Sequence, residues 1–146
     1  MTEKGLISKD ISFNELFLIE VCRNFYFLGK IGYSVNNIFL YYPEPVISFK
    51  AAGIKKKFSI GLNVYQGSAT VWFTIHNYSF SLKKNAINFN KRITEKYPEI
   101  ELTDKVDNKN MGEVLFNYSN FIQKNFMPIM EGKVWDTEYA SLIQKG

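Results

Sequence analysis

The stretch FSIGLNVYQGSATVWFTI, residues 58–75, constrains this chain more than any other. Apolar and polar residues alternate through it with the period of a β-strand, and the glycine in its middle offers a turn. A hairpin is the expected result. With Gly67-Ser68 as a type II′ loop, the register pairs Val64 with Val71, Leu62 with Phe73 and Ile60 with Ile75, so each apolar residue meets another. The opposite face then sets Tyr65 by Thr70, Asn63 by Trp72, Gly61 by Thr74 and Ser59 by His76, and a one-residue slip destroys both sets. Trp72 therefore stands on the polar face, with Gly61 diagonal to it and leaving room for a flat indole. Its cover is either a helix from one end of the chain or a partner.

The hairpin sits within a longer run of strands. NIFLYY (37–42) has the β-branched and aromatic content of a strand, and Pro43 and Pro45 interrupt it before VISFKA (46–51). If Gly53-Ile54 turns the chain into strand 55–65, Phe49 pairs with Phe58, Ile47 with Ile60 and Lys50 with Lys57, a like-charge pair that makes the outer face basic. YSFSL (78–82) reads as a fourth returning strand.

Helices flank this meander. Ser12 followed by Glu15 is a capping box, and Phe17, Val21, Phe25 and Leu28 form one apolar stripe ending at Gly29. Leu18 and Cys22 widen the stripe, so Cys22 reads as a core filler rather than a nucleophile. NAINFNKRITEKY (85–97) reads as a helix stopped by Pro98. PEIELTDKVDNKN (98–110) is an acidic, turn-rich loop with room for a short strand at Glu99–Leu102. A further helix from Met111 buries Val114, Leu115, Tyr118, Phe121, Ile122 and Phe126 and breaks at Pro128, and Trp135–Ile143 is a terminal helical turn or two. Together these predict one α+β domain over residues 1–146, with residues 1–11 as a short arm and helices on one face of an antiparallel meander of four to five strands.

Composition narrows the function classes. At 146 residues the chain can bury a real core without disulfides or metal. One cysteine and no signal-like segment point to a reducing, cytoplasmic setting, and the longest apolar runs are broken by Glu20, Arg23 and Lys30, so none spans a membrane. The net charge of +4 is spread along the chain and falls short of a nucleic-acid signature. One His and one Cys cannot make a zinc site, and no phosphate-cradling or nucleophile-elbow motif occurs, so no cofactor, metal or enzymatic activity is expected. Lone His76 reads as an outer-face residue, solvated or touching a partner. Lys55-Lys56-Lys57 either binds phosphate or protects an edge strand.

The order of segments carries one resemblance. FYFLGKIGYSV (25–35), VISFKAAGIKKKFSIGLNVYQGSATVWFTI (46–75) and YSNFIQKNFMPIMEGKVW (118–135) together resemble the small bacterial immunity proteins of contact-dependent and polymorphic toxin systems. The shared pattern is an amphipathic helix with Phe-Leu and Gly-Tyr, a hairpin-bearing meander before a polar loop, and a late helix ending near Met-Glu-Gly. It spans residues 17–135 and transfers no individual residue. The resemblance implies a cytoplasmic, non-enzymatic protein that binds and neutralises a cognate toxin domain. Many such toxins are basic and their inhibitors acidic, whereas this chain is basic; its toxin is then acidic or neutral, or is met by the acidic loop. The candidate binding residues are Lys57, Asn63, Tyr65, Thr70, Trp72, Thr74 and His76 on the outer sheet face, with Glu101, Asp104 and Asp107 from the loop. The rival reading is a nucleic-acid-binding module that uses Lys55, Lys56, Lys57, Lys83 and Lys84 with Trp72 and Tyr65 as stacking platforms. A small hydrolase or transferase with a hidden pocket is a second rival.

Overall fold

The computed structural model describes residues 12–41, 44–78, 85–135 and 140–141. The expected arm (1–11), most of the expected strand 78–82, and Lys83 and Lys84 lie outside the described residues. Helix α1 (Phe13–Asn24) begins at Ser12, whose hydroxyl accepts from the Glu15 amide while the Glu15 carboxylate accepts from the Ser12 amide. Both halves of the capping box are therefore present. Helix α1 stops at Asn24, five residues before the expected glycine, and Phe27–Lys30 forms a separate short helix, α2. Phe17, Val21, Phe25 and Leu28 are all buried, but Cys22 is exposed, which overturns its reading as a core filler. One residue past Val21 is a rotation of about 100° on the helix, enough to carry Cys22 off the stripe.

The chain then runs through β1 (Ser34–Phe39), β2 (Val46–Ala51), β3 (Lys56–Tyr65), β4 (Ser68–Asn77) and β5 (Ala86–Asn88), joined in sequence order into an antiparallel sheet. A two-residue strand, β6 (Ala140–Ser141), extends β5, which replaces the expected terminal helix at that point. The β2–β3 pairs are as expected, Ile47 with Ile60, Phe49 with Phe58 and Lys50 with Lys57. Their connection is wider than two residues: a 3-10 turn over Ala52–Ile54 is followed by Lys55 in the left-handed region.

The β3–β4 hairpin differs from expectation in its register. The turn residues are Gln66 and Gly67, both at positive φ (52° and 78°), a combination that fits a type I′ loop. Tyr65 therefore pairs with Ser68, Leu62 with Val71, Ile60 with Phe73 and Phe58 with Ile75. The shift from the expected register is two residues. Because side chains alternate with a period of two, every residue keeps its face while its partner changes. Gly61 now lies directly opposite Trp72, and Asn63 opposite Thr70.

Residues 85–97 divide at Asn88. Ala86–Asn88 pairs with Thr74–His76, and the Asn88 side chain accepts from the Lys91 amide to cap α3 (Phe89–Lys96). Helix α4 (Met111–Asn125) and the short α5 (Met127–Met130), with Pro128 in its first turn, complete the helical layer. The core is one aromatic-rich cluster: Phe25 packs on Phe58 and stacks on Phe73, Phe73 stacks on Tyr118, and Phe89 stacks on Phe126. Apolar area removed from water drives this assembly, at about 25 cal/mol per Å².

Helix α3 and the loop before α4 also close the side of β4 away from β3. Asp104 O accepts from the Val71 amide and the Val106 amide donates to Ala69 O, around an isolated bridge of Thr70 with Lys105. Further along, Asn90 Oδ1 accepts from the Phe73 amide and its Nδ2 donates to Val71 O, both at 2.9 Å. Strand β5 takes over at Thr74. Loop, side chain and strand thus satisfy consecutive parts of one strand edge, as buried backbone polar groups require. Strand β3 lies between β2 and β4, so the lysines at its start do not protect a sheet edge.

Candidate functional interface

The candidate interface is the sheet face turned away from the helices. Cross-strand pairing makes one row of Phe39, Val46, Gly61 and Trp72 running across β1 to β4. Alternation places all four on this outer face, since Ile47, Ile60, Val71 and Phe73 are core. The row is apolar. Glycine in its middle is required by the tryptophan: a Cβ on Gly61 would overlap Cζ2 and Cε2 of Trp72 and lie 2.8 Å from its Nε1. The indole therefore lies flat over the β3 backbone and is half-buried by its own sheet.

A second row, Asn37, Ser48, Ser59, Thr74 and Asn88, is polar, and the Ser48 and Ser59 hydroxyls are hydrogen-bonded at 3.1 Å. A third contains Ser34, Lys50, Lys57, His76 and Ala86. Lys50 and Lys57 are direct cross-strand neighbours, and the Lys50 ammonium offsets part of that repulsion by sitting 5.0 Å above the Tyr78 ring. His76 stands opposite Lys57. Burial first, and then the Lys57 charge, lower its pKa from the ordinary histidine value, and its Nδ1 is buried with no hydrogen-bond partner. The ring is thus not a solvated surface group, and neutral imidazole is its favoured form.

All seven expected face residues are brought onto this surface. Tyr65 is 69% exposed and Asn63 is exposed, whereas Lys57, Thr70, Trp72, Thr74 and His76 are half-buried. The three loop carboxylates are not assembled there. Asp104 acts on Tyr118, whose hydroxyl is pushed up to about 12 by burial first and the Asp104 charge second, against a hydrogen bond with Asn90. Asp107 accepts from the amides of Lys109 and Asn110, each at 2.8 Å, and so shapes the turn into α4. Glu101 is exposed on the loop. The loop residue bridged to Thr70 is Lys105, so at that point the loop adds a base to the face.

The run Lys55-Lys56-Lys57 is also divided. Lys55 is in the turn; Lys56 is buried, lies 5.4 Å above the Trp135 ring and donates to Ile54 O; only Lys57 reaches the outer face. Burial lowers the Lys56 pKa. Sequence reasoning overlooked Phe39, Val46 and Lys105 as members of this surface. The alternation of VISFKA held the signal for Val46, but Phe39 and Lys105 depend on a bulge and a bridge that no local pattern encodes.

Among the described residues no group of three or more His, Cys, Asp or Glu could hold a metal ion, and no helix is long and apolar enough to cross a membrane. The geometry offers a partly apolar, basic sheet surface for contact. The chain matches no protein-family model, and comparison with curated proteins and with solved structures gives no match.

Proposed function

We propose that this chain is a non-enzymatic binding protein of the immunity type, which docks a cognate toxin domain on its outer sheet face in the cytoplasm. The row of Phe39, Val46, Gly61 and Trp72 carries this reading, because it is apolar and fixed across four hydrogen-bonded strands. An aromatic centre rimmed by small polar groups has the composition of a protein interface, and a pre-positioned tryptophan is a common hot spot. Tyr65 extends the surface with an exposed ring, while Lys50, Lys57 and Lys105 favour an acidic rim on the toxin. Such an inhibitor works by occupying the toxin's active site or its route to substrate, and needs no chemistry of its own.

The test begins with the gene immediately upstream. If it encodes a secreted toxin, co-expressing the chain with that toxin domain should restore growth. Tyr65→Ala and Trp72→Ala should together remove protection while circular dichroism shows an intact fold. Absence of a toxin neighbour, or protection that survives both substitutions, overturns the reading.

The adjacency of Lys50 and Lys57 beside an aromatic row favours a second reading, binding of single-stranded nucleic acid. Retention of an oligonucleotide that weakens steeply with salt supports it, and no retention at low salt removes it.

A further inference from the structure

Strand β1 ends the sheet, and among the described residues no strand pairs with its other side. Every residue of β1 is exposed, including Val35, Ile38 and Phe39. Residues 31–43 carry no charge at all, so this edge lacks the lysines with which edge strands ordinarily repel other chains. Among the described residues its protective device is a bulge between Val35 and Asn37. Beside the edge, an apolar groove of about 230 Å³ runs between β1 and the end of α1, lined by Val21, Phe25, Tyr33 and Val35, with Cys22 and exposed Tyr26 at its rim.

The charges flanking β1 are arranged with a polarity. At its start stand Lys30 and Lys50, the latter directly across from Ser34; beyond its end stands exposed Glu44. From these features we infer that the occupant of this edge is a second copy of the chain, adding its own β1 antiparallel across a two-fold axis. Antiparallel pairing brings the basic end of each strand to the acidic end of the other, so two equivalent opposite-charge contacts form. Parallel pairing would set lysines against lysines. An axis between Asn36 and Asn37 also places Val35 of one copy opposite Ile38 of the other. Both residues share the helix-side face, so the isologous contact is apolar with apolar and runs into the groove. Backbone groups left unpaired at the edge then acquire partners, and one sheet continues through both copies.

This inference is independent of the toxin-binding reading, because its readout is mass alone. Sedimentation equilibrium of the whole chain should show twice the 17.0 kDa chain mass at micromolar concentration. Ile38→Lys should yield a folded monomer. Glu44→Lys should weaken dimerisation by about tenfold or more, since the symmetric contact is lost twice. Adding Lys50→Glu to Glu44→Lys should restore association by reversing the polarity. A wild-type chain that stays monomeric at several hundred micromolar, or a dimer indifferent to Ile38→Lys and Glu44→Lys, overturns the proposal. Loss of dimer with both charge variants and no rescue would likewise refute the antiparallel arrangement.

Discussion

The contact of Trp72 with Gly61 makes a sharp prediction, because alanine at position 61 should change sign in its effect with the residue opposite. Gly61 is outside the left-handed region, so an alanine there meets no backbone strain. Its methyl group would nevertheless occupy the space filled by the indole. Forcing a methyl into such a contact costs about 1–3 kcal/mol, while replacing a strand glycine by alanine returns about 0.5–1 kcal/mol of conformational entropy. Gly61→Ala should therefore destabilise the wild-type protein by up to about 2.5 kcal/mol. In a Trp72→Ala background the indole is gone, and the same change should stabilise by about 0.5–1 kcal/mol. The assay is urea denaturation of the four proteins of this double-mutant cycle, followed by far-UV circular dichroism because the cycle itself removes a fluorophore. Equal effects of Gly61→Ala in both backgrounds would refute the flat packing of Trp72 and, with it, the hairpin register that places the two residues opposite.

Three further outcomes are expected. Asn90→Ala strips Phe73 N–H and Val71 C=O of their side-chain partner and should cost about 1–3 kcal/mol, with faster amide exchange at Phe73; unchanged exchange there would rule out the bracing role. His76 has a folded pKa below its unfolded value of 6.5, so its contribution to stability is complete above that value and is lost as pH falls through the folded pKa. His76→Gln should accordingly flatten the decline in stability below neutrality, and an identical slope in both proteins would show that the ring titrates freely. Exposed Cys22 should react stoichiometrically with a thiol reagent in the native state, whereas a core position would react only on unfolding.

Local chemistry was legible wherever adjacent residues decide the structure. Ser12 and Glu15 cap a helix through their own side chains and amides, whatever lies further along the chain. The apolar face of the hairpin and of VISFKA was equally legible, since alternation assigns each residue a side. Register was not. Both Gly67-Ser68 and Gln66-Gly67 turns give fully apolar pairs, and a slip of two residues preserves every face; the pattern test excludes only odd slips. In the observed register the turn falls at Gln66-Gly67, and Trp72 lies across from Gly61, a residue without a Cβ to meet the indole. The C-terminal pair Ala140–Ser141 is a similar case, because its strand form depends on an open edge at β5 rather than on its own sequence.

The candidate interface shows the same division. Tyr65, Asn63 and Trp72 were placed on one face by their parity alone. That Phe39 and Val46 complete a row with Trp72, that Lys56 turns inward over Trp135, and that Asp104 and Asp107 serve Tyr118 and the α4 turn are all consequences of neighbours distant in the chain. By itself, then, the sequence determined the α+β layering, the helix cap, and which side of each central strand is apolar, because those follow from periodicity and hydrogen bonds within a few residues. Only the tertiary structure decided which side chains meet across strands and which edge is left uncovered, because those depend on how long-range packing resolves registers and edges that local pattern leaves degenerate.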